Sequence, residues 1–299
     1  MSVPLAYLGI VLIWSTTPLA IKWSGEEVGF LFGITGRMLV GLAVASVLML
    51  LWRRRLPWDR NAWQAYLAVG LPLYGSMLSV YWGAQYVNSG LISVLFGLTP
   101  LFTALFARLL LGEQSFTLLK LLGMGLGFAG LGWIFGHQVA LGPQALWGIV
   151  AVLLASLIHS LGTVWAKRQG ARLHPMSMNT GGLLLAAPLF LLSWVLSGAT
   201  WPQQIPAHAA GSIVYLGVVG SVLGAVLFYY ALQHLNTGSM ALLTLITPVT
   251  ALWLGRWLNG EILDPDVLLG TACILLGLVC YHWRDLLRQR RHSSPGIPG

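Results

Sequence analysis

Charged side chains are scarce in this sequence: 16 Lys and Arg and 8 Asp and Glu in 299 residues, or 8%. A soluble domain carries roughly a quarter of its residues as these four types. This chain therefore could not cover a globule of its length with water-compatible surface. The mean hydropathy of +0.78 points the same way. Soluble enzyme, nucleic-acid binder and disordered chain are excluded together, and the net +8 belongs to a membrane protein. Cysteine is almost absent too. Cys273 and Cys280 would lie about 10 Å apart along one helix, too far for a disulfide, and no zinc-binding spacing occurs. Neither H-E-x-x-H nor G-x-S-x-G is present. His159 and Ser160 are adjacent, which on a helix turns them about 100° apart. No catalytic set, metal site or cofactor is expected, and the chain does not read as an enzyme.

What is abundant is apolar sequence. A run of about 20 such residues crosses a bilayer as a helix, and ten segments fit: 3–22, 29–52, 62–87, 89–112, 116–137, 144–168, 176–197, 206–234, 237–259 and 264–284. The first lacks a basic leader, carries Trp14 and is followed by no A-x-A site, so it reads as a membrane helix rather than a signal peptide. The expected fold is an all-α polytopic membrane protein. Arg53, Arg54, Arg55, Arg60, Arg108, Lys120, Lys167, Arg168, Arg172, Arg284, Arg288, Arg290 and Arg291 all fall on one side of this plan. Lys22 and Arg256 lie opposite, with Glu26, Glu27, Glu261, Asp264 and Asp266. The positive-inside rule makes the basic side cytoplasmic, with both termini there. The basic tail 285–299 is expected against anionic headgroups or solvent, with no nucleic-acid partner.

The chain is also internally repeated. The shift that puts Tyr81 on Tyr229 also superposes Gln85 on Gln233, Asn88 on Asn236, Gly90 on Gly238, Thr99 on Thr247 and Pro100 on Pro248. It further matches Arg108, Gly112 and Glu113 to Arg256, Gly260 and Glu261. With small gaps, Gly123 and Gly130 meet Gly270 and Gly277, Lys22 meets Lys167, and Trp14 meets His159. That is duplication, in units 1–140 and 141–284. Each holds five helices, an odd number, so the two copies face opposite ways. Inverted repeats allow two halves of similar energy to exchange conformations around a midplane site. An alternating-access transporter is the reading.

The doubled pattern N-x-G-x(8)-T-P closed by R-x(3)-G-E, Asn88 to Glu113 and Asn236 to Glu261, resembles the EamA-type repeat of the drug/metabolite transporter superfamily. So does the Trp14-Ser15 pair. Within it, the length, ten-helix plan and aromatic content look most like the bacterial aromatic amino acid exporters. The resemblance implies a plasma (inner) membrane carrier in which helices one, three, four, six, eight and nine surround a cavity. Helices five and ten would be peripheral struts; whether the unit is a monomer stays open.

No Asp or Glu falls inside an apolar run. Ion-coupled carriers commonly use a buried carboxylate and exporters of lipophilic cations need one, because intramembrane charge is costly and retained for function. A small zwitterionic cargo fits better, an aromatic or other bulky neutral amino acid first; a sugar, nucleotide or neutral drug stays open. The candidate substrate-binding residues are Trp14, Tyr81, Gln85, Ser93, His159, Tyr229 and Thr244. Tyr81 and Gln85, four apart, would share a helical face. His159 is expected to meet substrate, or else to bond a neighbouring helix. Pro100 and Pro248 break a backbone hydrogen bond near mid-helix, as gating hinges or as fixed bends. Arg37 is expected to snorkel to the headgroups beside Glu26 or Glu27, with a substrate carboxylate as the alternative. Arg108, Glu113, Arg256 and Glu261 read as helix-end structure, and the small-residue run at 123–132 as packing within the bundle.

Overall fold

The computed structural model describes residues 3–112, 117–139, 143–170, 173–234, 237–262 and 264–292. Ten helical segments run back and forth: α1 Val3–Gly25, α2 Phe30–Leu51, α3 Arg60–Gly83, α4, α5 Leu118–Val139, α6 Pro143–Gly170, α7 Pro175–Leu196, α8, α9 Thr237–Asn259 and α10 Pro265–His292. Two are irregular. Helix α4 is split into α4a Ser89–Phe96 and α4b Thr99–Leu111, and α8 runs Ala207–His234 with a π-helical stretch at Leu216–Gly224. Six segments are individually long and apolar enough to cross a membrane, among them Phe30–Leu51, Ser89–Leu111 and Ala207–Ala231. Helices α5 and α10 carry shorter apolar stretches, Leu118–Ile134 and Pro265–Tyr281. Outward-facing Leu5, Leu12, Leu50, Leu109 and Leu276 are exposed. Such a surface suits hydrocarbon, where helices satisfy their own backbone polar groups. The chain is an all-α polytopic membrane protein.

The expected ends hold to within three residues, with two exceptions. Helix α3 stops at Gly83, short of the expected 87, and α10 carries its helix past Arg284 to His292. Caps mark several ends. The Asp59 carboxylate accepts from the Ala62 N–H, and His174 Nδ1 accepts from the Met176 N–H, with Pro175 opening α7. Gly112 and Gly260 adopt φ of 66° and 63°, the left-handed C-cap conformation glycine takes without a Cβ penalty.

Packing comes in pairs. Helix α3 lies against α6 and α7, and its counterpart α8 lies against α1 and α2; α4 packs on α9, and α5 on α10. The α5–α10 crossing is close. A Cβ on Gly123 would stand 2.5 Å from the Gly277 oxygen, and one on Gly130 2.5 Å from the Gly270 oxygen. The glycines matched in sequence thus meet reciprocally. This is intrabundle packing of the small-residue type, as the run at 123–132 leads one to expect. The halves are not identical in shape: α4 breaks before Thr99-Pro100, whereas α9 is continuous through Thr247-Pro248.

Candidate substrate site

Ring contacts join four helices. Trp14 of α1 packs on Phe228 of α8 with centroids 5.2 Å apart. Phe228 lies 6.1 Å from the His159 imidazole of α6, which lies 6.1 Å from Phe96 of α4a. Close backbone approach and paired hydroxyls hold the helices in place. Gly9 leaves room for Leu227, which a Cβ would meet at 2.9 Å. Ser15 Oγ and Thr250 Oγ1, 2.5 Å apart, tie α1 to α9. Thr99 Oγ1 meets Ser156 Oγ at 2.9 Å, and Ser160 Oγ donates to the Thr99 carbonyl. That seam of hydroxyls holds α4 against α6, bringing Phe96 to His159. His159 is partly exposed, and its ring nitrogens bond no described residue; the alternative of a histidine bonded to a neighbouring helix is not realised. An imidazole able to donate and accept is thus set among rings.

The other expected residues divide. Tyr81 is buried, 1% exposed, and belongs to a separate cluster described below. Gln85 does not join either group. Because α3 ends at Gly83, Gln85 sits in the following turn, exposed, with Nε2 donating to the Trp82 carbonyl. The four-residue spacing from Tyr81 presumed a helix that has already stopped. Tyr229 is edge-on to Phe228 at 5.5 Å and packs with Trp165 and Leu173 on an apolar cluster of α3, α6 and α7. Ser93 is buried in α4a. The Thr244 side chain lies outside what the structure describes, as do Glu113, Arg172 and Asn236. Pro100 is in the first turn of α4b, directly after the break. Pro248 stays inside α9, its ring 3.3 Å from where a Gly97 Cβ would stand.

Arg37 departs from expectation. It is 6% exposed and does not reach the headgroups. Its Nε donates to Ser221 Oγ at 2.9 Å and its Nη1 to the Tyr81 hydroxyl at 3.4 Å, with the guanidinium 5.9 Å over the Tyr81 ring. Ser221 lies beside Gly41, one turn further along α2, and half-way along α8. Glu26, the expected partner, pairs instead with His208 at 3.4 Å. The physical reason is the facing surface: Gly217 and Gly220 let α8 approach closely and leave the long side chain a slot within the bundle. Ser221 is in the π-helical stretch, and its carbonyl accepts from Asn179 Nδ2 of α7 at 2.9 Å. π-Turns recur at functional sites. Sequence reading missed Phe96, Phe228, Ser221 and Asn179, since ordinary membrane residues carry no signal until their neighbours are known. The glycines at 217 and 220, opposite a lone arginine, were the available hint.

At the face carrying the acidic residues, the halves are joined. Glu261 accepts from the Ser89 N–H at 3.0 Å, Ser89 Oγ at 2.9 Å and the Gly90 N–H at 3.4 Å. Its carboxylate so caps the N-terminus of α4a, where negative charge is stabilised. Asn259 Nδ2 donates to Glu261 and Asn259 Oδ1 accepts from Trp23 Nε1 at 2.9 Å, and Lys22 Nζ donates to the Val87 carbonyl. Glu261 is therefore a helix-end residue, as expected, but it caps a helix of the other half.

The family model described as "EamA-like transporter family" matches residues 1–136 and again 146–282. An uncharacterized transporter, YoaV, of Bacillus subtilis is 25% identical over 92% of this chain and 95% of its own. A probable terminal-alkyne amino-acid exporter of Streptantibioticus cattleyicolor is 29% identical over 95% of this chain and 97% of its own. One solved crystal structure superposes with a TM-score of 0.70 at 22% identity, covering 97% of this chain and 99% of the other, which establishes likeness of fold.

Proposed function

The chain belongs to the EamA-like transporter family, and from that premise we propose that it exports bulky neutral amino acids, aromatic ones first, by alternating access. The observation carrying this reading is the ring series Trp14–Phe228–His159–Phe96 from four helices. It offers flat faces to a planar side chain and one group able to exchange hydrogen bonds with a polar head. Aromatic pairs contribute about 0.5–1.5 kcal/mol beyond area burial, enough to favour such cargo over an aliphatic one. The lack of Asp and Glu in the apolar runs disfavours a cationic cargo. The exporter from Streptantibioticus, named for amino acids, supports the substrate class.

Units 1–140 and 141–284 are the moving halves. The positive-inside rule, applied to the thirteen basic residues of one face, supports a plasma-membrane orientation with that face and both termini on the cytoplasmic side. The outer face, joined by Glu261, Asn259 and Glu26, is then the closed one. The break before Thr99-Pro100 and the continuous helix at Thr247-Pro248 are the two shapes that the matched segments exchange, with the prolines as hinges. A ligand stabilises the state it binds. Melting of purified protein with a panel of amino acids, sugars and nucleosides therefore tests the reading. Stabilisation by aromatic amino acids supports it, and stabilisation confined to a sugar or nucleoside overturns it.

A further inference from the structure

We infer that Arg37, with Ser221 on the π-helical turn and the Tyr81 hydroxyl, forms a carboxylate subsite that takes the α-carboxylate of the exported amino acid. The inference rests on the reading of the chain as an amino-acid carrier and assigns the anionic part of the cargo's polar head. A buried charge is costly unless paired. Arg37 is buried at 6% exposure, and no carboxylate pairs with it among the described residues. Its hydrogen-bond partners, Ser221 Oγ and the Tyr81 hydroxyl, are neutral oxygens. They satisfy hydrogen bonds without cancelling charge. Guanidinium carries five donors in a planar fork, and a carboxylate accepts two in parallel more strongly than a neutral oxygen accepts one.

Three features make this a built site rather than a strut. The Nη2 edge faces Gly220, where a Cβ would stand 3.4 Å away, so no side chain of that residue fills the edge. Ser221 is held from behind by Asn179, whose Nδ2 donates to its carbonyl on the π-helical stretch. Tyr81 is held in turn, accepting from Ser24 Oγ at 3.4 Å. The charge also occurs in one half only, since Gly182 stands at the matching place. A cargo with one carboxylate needs one such cation. In the conformation described, the two hydroxyls accept from the guanidinium; when the bundle opens, the cargo carboxylate takes those donors and the Ser221 and Tyr81 hydroxyls donate to it.

Proteoliposomes test this through inhibition of labelled L-phenylalanine counterflow by three probes sharing a ring. These are L-phenylalanine, L-phenylalanine amide, which lacks the anion, and 3-phenylpropionate, which keeps the anion and lacks the amine. Wild type is expected to prefer the two carboxylates over the amide by roughly 10- to 100-fold. Arg37→Gln should lose that preference, Arg37→Lys should keep part of it, and Ser221→Ala should weaken it. No preference in wild type, or equal loss for all three probes in a well-folded Arg37→Gln, overturns the subsite. If wild type moves no amino acid, the cargo reading fails by itself, and melting of the detergent-purified protein decides the subsite. Stabilisation by 3-phenylpropionate, absent with chloride and absent in Arg37→Gln, upholds it. An equal shift with chloride, or none in wild type, overturns it.

Discussion

Trp14 and Gln85 show where single residues could and could not be read. Trp14, matched to His159 in the other half, stands in the ring series against Phe228, which fits either packing or contact with cargo. Gln85 was misplaced because a spacing argument needs its helix to continue, and α3 ends two residues earlier. Trp14→Ala should raise the half-saturating concentration for aromatic cargo roughly three- to tenfold, while Gln85→Ala leaves it unchanged; concentration-dependent uptake checks both. His174 gives a pH effect. Partial burial, and then the positive charge of Arg54, lower its pKa from 6.5. The native state thus favours the neutral ring that accepts from the Met176 N–H, and the unfolded chain binds the proton more readily. That stability is present above pH 6.5 and is lost as pH falls through the lowered value. Melting temperature between pH 7 and pH 5 should fall less in His174→Asn, which keeps a capping acceptor and does not titrate.

Among elements, all ten helices were visible in the sequence, since an apolar run long enough for the bilayer has one structural solution. Their interiors were not. The break at Gly97–Leu98 and the π-stretch at Leu216–Gly224 arise where α9 and α2 press against them, with Pro248 beside Gly97 and Val40 beside Gly217. No local spacing records such contacts. The same holds for Glu261, whose C-cap glycine was readable while its capping of α4a across the halves was not. Losing that acceptor should loosen the closed face by about 1 kcal/mol. In a background with Cys273 and Cys280 replaced by serine, Ser93→Cys should react faster with an impermeant maleimide from outside when Glu261→Ala is added. An unchanged rate would remove Glu261 from the closure.

For the whole molecule, the inverted duplication was the most informative reading, because matched residues in odd-numbered halves constrain architecture without any contact being known. Gly123 and Gly130, matched in sequence to Gly270 and Gly277, are in reciprocal close contact with Gly277 and Gly270. Gly130→Val should destabilise the bundle by about 1–3 kcal/mol through overpacking. Gly132→Ala, on the same helix with open space around it, should melt as wild type. The charge pattern that first excluded a soluble protein also shapes the cargo: no acid in the apolar runs and one buried arginine that no described carboxylate neutralises. The most direct test of the central claim is counterflow of labelled L-phenylalanine into liposomes preloaded with unlabelled amino acid. Transient, saturable accumulation that depends on the internal load is the predicted result. No accumulation of any neutral amino acid, or a non-saturable flux with single-channel currents, would contradict an amino-acid carrier.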